Sequence, residues 1–279
     1  MKVLVAGGTG FLGRPLAAAL AADGHQVAAL PRGSTDGVDG ADAVVNLAGE
    51  SIAGRRWSAG QKQRILDSRI ETTRRLVDAI RSAARPPRVL VSQSAVGYYG
   101  PRGDELVTEQ SGPGADFLAG VCVAWESEAM RAADRTRVVC LRTGLVLERD
   151  GGALPRMLPP FRLGVGGPAG SGRQYWPWIH RADWIALVRW SIDRDVVDGA
   201  LNATAPTPVT NGAFAAALGR ALHRPAFMPA PAFALKLLLG EMADAMLLSG
   251  QRVVPEKAQR MSFSFRYSTL DRALDALFE

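Results

Sequence analysis

The chain has 279 residues, 33 Lys and Arg against 27 Asp and Glu, and a formal net charge of +6. At 47% hydrophobic residues it can bury the core of one large domain or two small ones. Only two cysteines occur, Cys122 and Cys140, too few for a disulfide framework, so a reducing, cytoplasmic compartment is expected. The arginines are scattered and no basic run alternates with aromatics, which argues against a nucleic-acid surface. The most apolar stretch, 226–248, is broken by Pro229, Pro231, Lys236, Glu241 and Asp244 and reads as amphipathic core helix, with no role in a membrane. A strand beginning at residue 2 leaves no signal peptide in the expectation, and no metal site is expected.

Lys2-Val3-Leu4-Val5-Ala6 predicts a short buried strand. Gly7-Gly8-Thr9-Gly10-Phe11-Leu12-Gly13 follows at once, then a helix from Arg14 with Pro15 in its first turn. Strand, glycine loop and helix together are the setting of a dinucleotide-binding turn. The glycines allow close backbone approach, and the unpaired N–H groups of the helix start attract a pyrophosphate. The expected cofactor contacts here are Gly7, Thr9, Gly10, Phe11, Leu12 and Gly13. Residues 25–30 predict the second strand. A cofactor with a free ribose 2′-hydroxyl usually meets an acid about 20 residues past the loop. This chain has Pro31-Arg32 instead and no acid before Asp36. A guanidinium suits a 2′-phosphate, so NADP(H) is the expected cofactor.

Residues 33–40 predict loop, with at most a vestigial strand at Val38. A buried strand over 42–49 ends at Leu47, Ala48 and Gly49, whose small side chains would let the adenosine half pass. A helix over 59–84, stopped by Pro86-Pro87, and a strand over 88–91 come next. Ser92, Ser94, Tyr98 and Tyr99 then gather hydroxyls at that strand's carboxyl end. A helix over 117–133 carries Cys122, Trp125 and Glu126. A strand within 138–147 ends in Arg142-Thr143-Gly144. Residues 151–172 predict loop, 176–183 lead into a helix to about Ile192, 199–203 predict a last strand, 211–222 a helix, and the remainder a helical tail.

The glycine loop, Leu47-Ala48-Gly49 and the Ser-Gln-Ser run before Tyr-Tyr-Gly resemble the short-chain dehydrogenase/reductase superfamily, extended type. More closely, the chain is similar to an atypical, epimerase-family subgroup, labelled sugar-nucleotide epimerase-like oxidoreductases, with a C-terminal domain of unknown function. That likeness runs through 46–50, Arg56-Trp57, 68–73, 117–126, 151–154, 170–172, 178–180 and 250–253. The resemblance implies an α/β, doubly wound parallel-sheet Rossmann fold of about seven strands, with a small, mostly helical C-terminal substrate domain. It places the NADP-binding part at 1–147 and 181–224 and the substrate part at 148–180 and 225–279. Arg69, Ser92 and Val146 join the cofactor contacts.

Ordinary members of the superfamily use Ser, Tyr and Lys with a nearby Asn. Here the resemblance puts Ser94 at the serine, Leu118 and Cys122 at the Tyr-x-x-x-Lys pair, and Arg69 at the asparagine. Leucine cannot move a proton. One expectation is therefore that Cys122 is the acid/base, its thiol poised by Arg69. Tyr98 or Tyr99 is an alternative, weak as an unassisted base at neutral pH; His180 is another. Ser94 is expected against the substrate or nicotinamide. Trp176 and Trp178 line the substrate side or pack an internal seam, and Glu50, Arg56 and Trp57 follow the adenosine-side strand. Two functions stay open: an NADP(H)-dependent oxidoreductase or epimerase-like enzyme on an unidentified small molecule, and an NADP(H)-binding redox sensor or regulator without turnover.

Overall fold

The computed structural model describes residues 1–279. Its chain falls into two compact units. The first holds 1–98, 119–142 and 185–201; the second holds 99–118, 143–184 and 202–279. Helix Asn211–Ala221 thus groups with the second unit, not with the sheet.

The first unit is built on β1 (Lys2–Ala6), β2 (Gln26–Leu30), β3 (Ala43–Asn46), β4 (Val89–Ala95), β5 (Arg137–Thr143) and β6 (Gly199–Ala203). Their order in the sheet is β2-β1-β3-β4-β5-β6, and β2, β1, β3 and β4 run parallel. The sheet has six strands where the family likeness implies about seven. The missing one is the segment after β2: residues 33–40 cross back as turns, with Val38 buried under them and no ladder formed. A run of Gly, Ser and Asp cannot supply the paired apolar positions of a strand.

Both faces of the sheet are covered, which is why its strands read as continuous apolar runs. Leu4, Ala6, Val44, Leu90, Val138 and Cys140 pack with Leu76, Val77 and Ile80 of α2 (Ala59–Ser82). The alternating partners Val3, Val5, Val45 and Val91 are fully buried on the other side. There α1 (Gly13–Ala22) packs on β1 and β2 and buries Leu16 and Leu20. Helix α2 opens with Ser58, whose hydroxyl accepts from the Gln61 N–H. Helices α3 (Phe117–Met130) and α4 (Arg181–Asp193) complete the main elements.

The second unit has three two-stranded ribbons and a helical core. Leu145–Leu147 pairs parallel with Trp178–His180, Leu106–Val107 parallel with Arg252–Val253, and Tyr175–Trp176 antiparallel with Val209–Thr210. The strand expected to end in Arg142-Thr143-Gly144 runs over 137–143 in the main sheet, and 145–147 is a separate short strand. Residues 154–162, expected as loop, form a helix containing Pro159 and Pro160. Leu154, Leu158 and Phe161 lie on its buried stripe and hold it in the core. Helices Asn211–Ala221 and Leu270–Phe278 pack together around Phe214, Leu218, Leu274 and Leu277. Asp183 ties the tail down by accepting the backbone N–H groups of Arg266 (2.8 Å) and Tyr267 (2.9 Å). No helix is long and apolar enough to cross a membrane.

Candidate nucleotide site

The glycine loop sits where the sheet order turns. β1 leads first to β2 on one side and then to β3 on the other, and the crevice at such a switch point is where open α/β sheets bind ligands. Gly7 takes φ +79°. A Cβ there would lie 2.9 Å from the Leu47 carbonyl carbon and 3.0 Å from the Ala48 nitrogen, so the loop rests on the backbone that follows β3. Gly13 is tighter still: its Cβ would stand 2.2 Å from the Gly7 oxygen and 2.7 Å from Gly8 Cα. Gly10 N donates to Gly7 O at 3.0 Å, and Arg14 N to Gly10 O at 3.1 Å. Leu12 caps α1 without a side-chain hydrogen bond. This cradle, with glycine where a Cβ would meet the loop's own backbone and a helix start facing it, has the form that suits a pyrophosphate.

Asn46, to which the sequence assigned no role in the site, shapes the neighbouring turn. It is fully buried, its Oδ1 accepts from Ala48 N at 3.3 Å, and its Nδ2 donates to Thr73 Oγ1 at 2.8 Å. Thr73 also accepts from Trp125 Nε1 at 2.9 Å, joining β3, α2 and α3. Arg69 lies across Gly49, where a Cβ would come within 3.2 Å of its Cζ. Its Nη1 donates to the carbonyls of Ile65 (2.9 Å) and Glu50 (3.0 Å), and its guanidinium faces the Trp125 ring at 5.0 Å. Burial pulls its pKa down from the usual arginine value, with Cys122 and Glu50 opposing that shift; it stays cationic. Ser92, beside Asn46 in the ladder, is buried and its hydroxyl has no protein partner. Such a group awaits water or a ligand. Pro31 and Arg32 are exposed at the end of β2, and Arg32 makes no ion pair or hydrogen bond within the chain.

The candidate chemical groups meet differently from the expectation. Ser94 is completely buried and donates its hydroxyl to Glu126 Oε1 at 2.6 Å. Glu126 also accepts a bidentate pair from Arg142: Nε to Oε1 and Nη2 to Oε2, both 2.8 Å. The Arg142 guanidinium in turn lies 3.4 Å from the centroid of the half-buried Tyr98 ring. Ser94, Glu126, Arg142 and Tyr98 thus form one connected stack. Glu126 and Arg142 were not expected in the site. A carboxylate in an apolar helix and a guanidinium in a buried strand each demand a partner, and that demand was the available signal.

Cys122 is not a poised thiolate. Burial, reinforced by the Glu126 charge, pushes its thiol up to about 11, and the pull of Arg69 the other way is the smallest of the causes. The poised-thiol expectation counted Arg69 but not the carboxylate one turn along α3. A raised thiol pKa stabilises the fold fully below about pH 8.5, and that contribution fades as pH climbs through 11. With neither Cys122 nor Cys140 in a disulfide and both buried, Ellman's reagent at pH 8 is expected to find no rapidly reacting thiol in the native protein and two after denaturation. One fast native thiol, lost in Cys122→Ala, would contradict this placement.

The second unit takes up the remaining candidates. His180 is buried, its Nδ1 accepts from Ala182 N at 3.0 Å, and its ring stacks on Tyr267 at 4.0 Å. Burial lowers its pKa, so it serves there as a neutral anchor. Trp176 and Trp178 are core residues, 9% and 1% exposed. Val146 lies in the 145–147 ribbon. A surface hollow of about 690 Å³ around Gly219, His223 and Phe227 contains none of the expected site residues.

A glycine cradle on the β3 turn at the switch point of a six-stranded sheet is the arrangement that family comparison resolves. Residues 3–203 match the model of the NAD dependent epimerase/dehydratase family. The chain belongs to that family. In this epimerase/dehydratase member, residues 230–277 also match a domain of unknown function, DUF1731. It is 42% identical over 290 residues to the bovine epimerase family protein SDR39U1, covering 98% of both chains. The human epimerase family protein SDR39U1 (isoform 2), solved with NADPH, superimposes with a TM-score of 0.95 at 39% identity over 99% of both chains. The nucleoside-diphosphate sugar epimerase of Corynebacterium glutamicum superimposes at 0.81 and 31% identity, over all of this chain and 58% of that one.

Proposed function

We propose that the chain binds NADP(H) along the carboxyl edge of its six-stranded sheet and serves as an oxidoreductase or epimerase-like enzyme on a small molecule. The observation that carries this reading is the Gly7–Gly13 cradle seated on Leu47 and Ala48, with an unpartnered Arg32 at the end of β2. Gly7, Thr9, Gly10, Phe11, Leu12 and Gly13 would hold the pyrophosphate. Pro31 and Arg32 would meet the adenosine phosphate, Leu47, Ala48 and Gly49 the adenosine, and Arg69 and Ser92 the nicotinamide half. The human relative solved with NADPH supports the choice of NADP(H). The bound nucleotide supplies or accepts hydride; the protein must supply the proton. Ser94 is committed to Glu126, and Cys122 is held as a neutral thiol. Tyr98 is the candidate that remains: half-buried, just past the end of β4, with the Arg142 cation on its ring face.

The second reading, cofactor binding without turnover, is favoured by one observation: neither Ser94 nor Cys122 is disposed as an acid/base. Single-turnover oxidation of bound NADPH against a panel of aldehydes, ketones and keto-sugar nucleotides separates the two. The enzymatic reading expects hydride transfer that falls about a hundredfold or more in Tyr98→Phe and survives in Cys122→Ala. No transfer to any member of the panel, with NADPH bound, would favour the regulatory reading.

A further inference from the structure

The turn after β2 carries a second cation that the sequence does not bring to mind. Pro31, Arg32 and Gly33 form a tight turn closed by Ser34 N donating to Pro31 O at 3.0 Å, with Gly33 at φ +78°. A Cβ on Gly33 would come within 2.8 Å of Arg75 Nη1. Arg75 projects from the middle of α2, 42 residues farther along the chain, and its guanidinium lies directly over the turn. Its neighbour Arg74 points elsewhere, to Glu128 at 3.2 Å. Arg75 has only Glu71, at 4.0 Å and beyond hydrogen-bond range, and its side chain is 57% exposed.

Charges near the turn are mixed. The Asp36 carboxylate accepts the Ser34 hydroxyl at 2.9 Å, and Lys2 Nζ donates to Gly37 O at 3.1 Å. Asp36 is therefore engaged in its own turn, and the guanidinium donors of Arg32 and Arg75 are not taken up by any acid. A phosphate monoester carries close to two negative charges at neutral pH, more than one guanidinium neutralises. Two guanidiniums at one glycine turn, Arg32 within it and Arg75 reaching it from α2, suit such a dianion.

We propose that Arg75 is a specificity-determining residue of the nucleotide site, acting with Arg32 to select the 2′-phosphate of NADP(H). The proposal rests on the NADP(H) reading above and adds a residue to it. The absence of a side chain at Gly33 is then functional: it leaves the space through which Arg75 reaches the turn. Because Arg75 is more than half exposed, its effect is partly screened and depends on salt.

Calorimetric titrations of the full chain with NADPH, NADH and adenosine 2′,5′-bisphosphate test this on wild type, Arg32→Gln and Arg75→Gln. Arg75→Gln is expected to weaken NADPH and the bisphosphate about five- to twentyfold, to leave NADH unchanged, and to flatten the salt dependence of NADPH binding. Unchanged NADPH affinity in Arg75→Gln, while Arg32→Gln loses the preference, would overturn the role of Arg75 and leave the NADP(H) reading standing. Equal loss for NADPH and NADH would reduce Arg75 to a structural part. A wild type that binds neither NADPH nor the bisphosphate would overturn both proposals together.

Discussion

Gly13→Ala is expected to remove NADPH binding at concentrations that saturate the wild-type protein. One methyl group suffices because of what surrounds it. At position 13 a Cβ would stand 2.2 Å from the Gly7 carbonyl oxygen, 2.7 Å from Gly8 Cα and 2.9 Å from the Gly7 carbonyl carbon. All three are backbone atoms of the loop itself, so no flexible side chain can move aside. Either the start of α1 backs away or the turn at Gly7 opens. Either change moves the N–H groups that face the ligand and disturbs the seat of the loop on Leu47 and Ala48. Overpacking of this kind costs about 1–3 kcal/mol of stability, and the loss of binding should exceed what that figure implies. Isothermal titration with NADPH, beside a thermal melt to show that the variant is folded, reads both effects. Gly10→Ala is the control for the melt alone: its Cβ would meet only the Gly7 oxygen, at 3.3 Å, so the fold should tolerate it better, whereas its methyl still faces the pyrophosphate seat. Equal binding by wild type and Gly13→Ala would show that the loop is not the anion seat.

The second large effect concerns stability. Glu126→Ala removes the acceptor of the Ser94 hydroxyl and both acceptors of Arg142. The pair is buried, with side chains 5% and 12% exposed, so the variant leaves a guanidinium without its counter-charge inside the protein. Breaking a buried pair from one side costs about 3–5 kcal/mol. Urea denaturation is expected to show that loss. Glu126→Gln keeps an acceptor for Ser94 and for one arm of Arg142, and should recover part of it. If Glu126→Ala unfolds with the wild-type midpoint and slope, the stack is not an energetic unit. The melt also bears on Tyr98, since the Arg142 guanidinium that Glu126 accepts from lies over its ring.

The sequence was most legible where the determinants are local. Val3 and Val5, the glycines from Gly7 to Gly13, and the Pro86-Pro87 stop after α2 each act within a few residues, and the elements they predict are present. Arg32 was read in the same local way, by its distance from the loop, and its part in the site is a proposal. Helix 154–162 was not, because Pro155, Pro159 and Pro160 mask the spacing of Leu154, Leu158 and Phe161. Burial of that stripe outweighs the prolines only in the packed core. For the candidate site the sequence offered residues but not their partners. Ser94 and Cys122 lie in the expected part of the fold, yet what they do is decided by Glu126, which is 32 residues from Ser94 and 16 from Arg142. The poised-thiol idea failed on that charge and on burial. Trp176 and Trp178 carried no local sign of whether they face a ligand or a core, and Phe214 beside Trp176 settles it for the core.

The most direct measurement is a paired titration of the purified wild-type chain with NADPH and NADH at fixed ionic strength. Saturable binding is predicted, with NADPH at least about tenfold tighter, the worth of one charged hydrogen bond from Arg32. Equal affinity for the two nucleotides, or no binding of NADPH at millimolar concentration, would contradict the assignment of the Gly7–Gly13 cradle and Arg32 to a phosphorylated nicotinamide nucleotide.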